Sequence, residues 1–121
     1  KLKYKVYLIE YLGSIVISRE VLYFLRLEKK LNNPHIVIYR GILNLAYGYN
    51  SAFIFIPKVK VKAKRPNEYF IMYDDSYGVP IWVEKGLLTN LEDQPILISM
   101  KKNGLFKGLK IEVGIKVLNR Q

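Results

Sequence analysis

The stretch "PKVKVKAKRP", residues 57–66, places Lys58, Lys60, Lys62 and Lys64 at every second position. In an extended chain alternate side chains share a face, so this spacing predicts a strand with one wholly cationic side. Alternate residues on a strand stand roughly 6.6 Å apart, close to the pitch of successive phosphates on a nucleic-acid strand. Ammonium groups at that pitch can follow a phosphate backbone, with an affinity that falls steeply as salt rises. The "RPNE" that follows (65–68) suits a β-turn with Pro66 in second place and Asn67 in third. Such a turn would fold 68–75 back along the lysines, setting Lys64 opposite Tyr69, Lys62 opposite Ile71, Lys60 opposite Tyr73 and Lys58 opposite Asp75. Lysines would then interleave with Tyr69 and Tyr73, whose rings can stack on unpaired bases at roughly 1–3 kcal/mol per base. Arg65 would stand at the turn. Lys1, Lys3 and Lys5, with Tyr7, form a second stripe of the same kind.

A plainer explanation competes. Lysines at alternate positions keep exposed edge strands from pairing with other chains, and heat-adapted proteins carry many surface lysines. The charge balance decides between them: 20 basic residues against ten acidic ones give +10, and no acidic stripe offsets the two basic ones. Such a chain attracts polyanions at long range. Nucleic acid is therefore the expected partner, recognised through its backbone, since no helix-turn-helix, zinc-finger or RNP-type motif is present to read bases. The alternative class is a structural or interaction protein. Ten tyrosines and long strands would suit a homo-oligomer, and an acidic protein surface could also take up the lysines.

Catalysis finds less support. "DD" (74–75) followed by "IWVEK" (81–85) approaches the carboxylate pattern of metal-dependent nucleases. Glu84 and Lys85 are adjacent, however, and in a strand they point to opposite faces. His35, the single histidine, has no evident carboxylate partner and is expected to be structural. With no cysteine, thiolate catalysis, disulfides and Cys/His zinc sites drop out. No P-loop, dinucleotide fingerprint or Ser/His/Asp set occurs, so no metal or cofactor is expected.

These residues need elements to hold them. Residues 1–12 alternate cleanly as a strand with Lys1, Lys3 and Lys5 outward, and Glu10 breaks any resemblance to a secretory leader. "IVI" (15–17) is a short strand. Ser18 is placed as a helix N-cap, with Glu20 in the first turn and a stripe of Val21, Phe24, Leu25 and Leu31, giving a helix over 18–31 that "NNP" ends. Strands are predicted at 35–41, then at 52–64, 68–75 and 81–84. "ILNLAYGYN" (42–50) reads either as a continued strand after a kink at Gly41, turning at 48–50, or as a short helix, and the strand is preferred. "SYGVP" (76–80) is a loop, and 85–94 a connection with room for one helical turn. "NG" (103–104) marks a hairpin. Pairing Lys102 with Leu105 sets Met100 against Lys107, Ile98 against Leu109 and Ile96 against Ile111.

Along 52–65 the odd positions stay apolar, while the even ones begin as Ala52, Ile54 and Ile56 and then become lysines. The expected strand starts buried on both faces and projects its lysine end into water. Together these features predict one α+β domain over 1–121: a mainly antiparallel sheet or partly open barrel of five to seven strands with one packed helix. The longest apolar run, Ala52 to Pro57, is far short of the ~20 residues of a membrane helix, so no membrane crossing is expected. Abundant Lys, Ile and Tyr without cysteine fit a heat-stable cytoplasmic protein, archaeal or viral.

Overall fold

A computed structural model of the chain describes residues 15–28, 32–74, 77–89, 91 and 94–114. The Lys1, Lys3 and Lys5 stripe lies outside the described residues, as do Leu31 and Asp75. The fold is α+β: among the described residues, seven strands in two sheets, with one short helix. The strands are β1 (Ile15–Ile17), β2 (His35–Tyr47), β3 (Asn50–Lys62), β4 (Phe70–Asp74), β5 (Ile81–Glu84), β6 (Ile96–Asn103) and β7 (Phe106–Val113). The smaller sheet runs β1-β6-β7, with β1 parallel to β6; the larger runs β3-β2-β5-β4, with β2 parallel to β5. Among the described residues neither sheet closes into a barrel.

Period-2 patterning explains which faces meet. Ile36 and Ile38 of β2 stand beside Ile81 and Val83 of β5, and all four are fully buried. In the other sheet Ile15 and Ile17 stand beside Ile96 and Ile98. The two apolar faces and the helix contribute to one core. Helix α1 (Arg19–Tyr23) begins where the sequence places it, the Ser18 hydroxyl accepting from the Val21 amide at 3.3 Å. It is shorter than the expected 18–31, because Phe24–Glu28 widen into a π-helical turn. Val21, Phe24 and Leu25 are buried, whereas Arg26 and Leu27 already face solvent, so the core-facing stripe stops at Leu25 among the described residues.

Two pairings depart from expectation. The 103–104 hairpin forms, but Asn103 pairs with Phe106 and Ile98 with Ile111, leaving Gly104 (φ +64°) and Leu105 as the loop. That is a slip of two residues, which keeps every side chain on its predicted face. The larger correction concerns β3. It does not fold back on 68–75; it pairs with β2 along its whole length, from Tyr47↔Asn50 to His35↔Lys62. β4 lies at the far edge of the sheet, with β2 and β5 between. The expected alternation of Lys58, Lys60, Lys62 and Lys64 with Tyr69 and Tyr73 therefore does not exist.

Residues 63–69 instead form a strap. Lys62 sits level with His35 on one edge, and Phe70 level with Glu84 on the other. Three strand spacings and about four residues of rise put those points roughly 19 Å apart on the diagonal. Seven linking residues can span that, at no more than about 3.3–3.6 Å each. The strap crosses the sheet face turned away from the core, where the Arg65 guanidinium lies 5.3 Å from the Trp82 ring centre. This cover accounts for Val37 and Trp82, neighbours on β2 and β5, being buried on that side.

The projection is also reversed. β5 is only four residues long, so beyond Gly41 the strand β2 has, among the described residues, no neighbour but β3. Residues 42–55 leave the sheet as a two-stranded arm, and Ile42, Phe53 and Phe55 on it are 59%, 68% and 58% exposed. The apolar end projects; the lysine end packs.

Candidate nucleic-acid interface

The outer edge of β3 faces the β6–β7 hairpin of the other sheet, and a groove runs between them. Pro57, Lys58 and Val59 stand on one side of its first stretch, with Lys101, Leu109, Lys110 and Ile111 on the other. The second stretch, about 500 Å³, is lined by Phe24, Val59, Lys60, Val61, Lys101, Phe106, Lys107, Gly108 and Leu109. Val59, Lys101 and Leu109 belong to both, so the groove is continuous. Its floor is aliphatic, its rims carry Lys58, Lys60, Lys101, Lys107 and Lys110, and none of its described lining residues is acidic.

The backbone sets these positions. Even-numbered residues of β3 share a face with Tyr39 and Gly41 of β2, and glycine at position 41 leaves space over which the Lys58 stem lies; a Cβ there would come within 2.5 Å of it. The Lys60 ammonium sits 4.3 Å from the centre of the Tyr39 ring, a cation–π contact that holds it at the groove's edge. Lys102 is turned out of the groove and bonds the Glu20 carboxylate of α1. The neighbouring Lys101 lines the groove.

The residues singled out by sequence fall into three groups. Lys58 and Lys60 belong to the groove. Lys62, opposite His35, and Lys64, in the strap, are exposed but do not line it, and Arg65 is engaged over Trp82. Tyr69 is exposed at the opposite edge, roughly 14 Å from β3 across three strand spacings. Tyr73 is buried in the core and cannot stack on a ligand base. Their place in the groove is taken by Phe106, 63% exposed, and by the β6–β7 lysines. The signal for these was present in "MKKNGLFKGLK" (100–110), where four lysines and one aromatic, Phe106, cluster around the turn.

Other candidate groups are spoken for. Register puts Asp74 opposite Ile81 and Phe70 opposite Glu84, so Asp74 and Glu84 stand at opposite ends of β5, roughly 10 Å apart. Glu84 accepts the Arg40 amide at 2.8 Å and lies 3.8 Å from its guanidinium. His35 accepts the Trp82 indole N–H on Nδ1 at 3.0 Å, which requires a neutral imidazole. Burial, with the nearby Arg65 charge, lowers its pKa from the usual 6.5. Among the described residues no group of three or more His, Cys, Asp or Glu is placed to hold a metal ion, and no helix is long and apolar enough to cross a membrane. Compared with protein-family models, curated proteins and solved structures, the chain matches none of them.

Proposed function

We propose that the protein binds nucleic acid without catalysis, holding the phosphate backbone of an unpaired strand in the β3–β7 groove. The observation that carries this is the convergence of five lysines from two sheets on one groove with no described carboxylate in its walls. Lys58 and Lys110 flank one stretch, Lys60 and Lys107 the next, and Lys101 lies between. Phosphates would meet these ammonium groups, and a base would stack on the exposed Phe106 ring. A backbone grip of this kind carries little sequence preference. A cytoplasmic setting, cellular or viral, fits such a ligand.

The test is fluorescence anisotropy with labelled single- and double-stranded DNA and RNA of mixed sequence. Binding at micromolar concentration or tighter, preferring single strands and weakened by Phe106→Ala, is the expected result. A correctly folded protein that binds no probe at low salt would end the proposal. The lysine groove would then have to serve an acidic protein surface.

A further inference from the structure

The arm formed by residues 42–55 is not used by the groove, and its chemistry is unlike the rest of the chain. From Ile42 to Ile56, "ILNLAYGYNSAFIFI" contains no charged residue, in a protein of net charge +10. Ile42, Leu43, Phe53, Ile54 and Phe55 are all more than two-fifths exposed, on both faces of the ribbon. A two-stranded hairpin alone in water is marginally stable, and an apolar edge of this length invites another strand.

The hydrogen-bond polarity of that edge is fixed. The amides of Ile36 and Arg40 both donate away from β3, to Pro80 O at 2.9 Å and to Glu84 at 2.8 Å. Even-numbered residues of β2 thus point towards β5, and odd ones bond β3 through its even-numbered residues. The odd-numbered residues of β3, including Ser51, Phe53 and Phe55, therefore turn their N–H and C=O groups to the outer edge, where no described strand pairs. Pro57, which has no N–H to give, falls at an odd position where β2 asks for none.

We propose that β3 of one copy pairs antiparallel with β3 of a second copy across a two-fold axis at Ile54. Phe53 of each copy then exchanges main-chain hydrogen bonds with Phe55 of the other, and Ser51 lies opposite Pro57, where the ladder ends. The lysines stay outside the paired stretch, Lys58 falling opposite Asn50. Of the groove's lining only Pro57 and Lys58 come level with the partner's arm, so the stretch about Lys60 and Lys107 stays open in both copies. Charge favours this occupant: the arm offers nothing to a polyanion, and it is the place where two copies of a +10 chain can touch with least repulsion. A lipid bilayer is a poorer occupant, because both edges of a two-stranded ribbon would carry unbonded amides into hydrocarbon. Of the five exposed side chains, Phe53, Ile54 and Phe55 lie on the pairing strand, while Ile42 and Leu43 sit one strand back on β2. The contact is therefore smaller than a permanent interface, and the dimer depends on protein concentration. An isologous contact of this kind closes at two copies.

The experiment is sedimentation velocity on the full chain at low and high salt. The expected result is a species of twice the chain mass, favoured by salt, whereas nucleic-acid binding is weakened by it. Phe53→Lys with Phe55→Lys should weaken self-association at least tenfold while leaving the melting transition in place, since the arm stands outside the core. Ile54→Cys, the only cysteine in that variant, should form a disulfide-linked dimer on oxidation. A strictly monomeric wild type, a dimer untouched by the lysine pair, growth beyond two copies, or sedimentation with anionic vesicles in place of dimerisation would each overturn the proposal.

Discussion

The groove makes a quantitative demand on salt dependence that a simple lysine row does not. Binding a single strand releases about 0.7 counterion per neutralised phosphate, so log K falls with log salt at a slope of about −0.7 per ammonium engaged. Five lysines line the groove. If each meets a phosphate, the slope is about −3.5, and raising salt from 50 to 200 mM should weaken binding by ~130-fold. Removing two ammonium groups from the β6–β7 side with Lys101→Gln and Lys110→Gln should bring the slope to about −2.1 and the loss over the same range to ~20-fold. Lys62→Gln with Lys64→Gln removes as much charge from outside the groove, and should leave the slope at its wild-type value. Anisotropy titrations of a labelled oligonucleotide at four or five salt concentrations measure all three slopes. The opposite pattern refutes the reasoning: a wild-type slope of about −2.8 that falls with the Lys62/Lys64 pair and ignores the Lys101/Lys110 pair. Phosphates would then follow β3 alone, and the meeting of the two sheets would have no part in binding.

Three further outcomes test the fold that positions this site. Because the folded state lowers the His35 pKa, the unfolded chain binds the extra proton first as pH drops. Stability from the neutral His35–Trp82 pair should be fully present above about pH 6.5 and be lost progressively below it; melting temperatures of wild type and His35→Gln across pH 5–7.5 check this, and parallel curves would refute it. Ile38→Ala should cost about 2–5 kcal/mol by denaturant titration, whereas Ile42→Ala, four residues on along the same face, should stay within about 0.5 kcal/mol. Equal costs would mean the arm is packed in solution. Gly104→Ala should cost about 1 kcal/mol through its left-handed backbone alone, since nothing lies within 4 Å of a Cβ there; a neutral result would mean the 104–105 loop relaxes freely.

Local chemistry was legible in the sequence, and partner choice was not. The Ser18 cap, the "IVI" and "IWVE" strands and the Asn103–Gly104 hairpin each follow from a few adjacent residues. The hairpin's slip by two could not be read from pattern, because shifts of two leave the inward and outward sets unchanged. The error at β3 came from two competing turns. Residues 48–49 and 65–68 both suit a reversal, and 50–62 cannot tell which neighbour it will keep. The deciding fact is β5, a four-residue strand whose parallel pairing with β2 fills the centre of the sheet and sends 63–69 across it as a strap. The short length of β5 also misled about exposure. A stretch apolar on both faces normally signals burial on both sides, yet 50–55 extend past the last residue of β5 and have nothing to lie under. Half of the groove was visible in Lys58 and Lys60; the other half belongs to a different sheet, whose approach no local spacing reveals.

The parallel pairing of β1 with β6 has a consequence for how the chain reaches this state. Ile15 meets Ile96 across about 80 intervening residues, and β2 meets β5 across about 45, whereas both hairpins close through two-residue loops. Hairpins form in about 1–10 μs, while distant pairings repay their loop-closure entropy only after the chain between them is ordered. The β2–β3 and β6–β7 ribbons therefore come first in time, and each is completed into its sheet late, the second by three residues of β1 and the first by four of β5. Until then the inner faces of both ribbons stand open beside an arm that is itself apolar. Refolding of this chain is thus a race between an intramolecular search for β1 and β5 and collisions that grow with protein concentration.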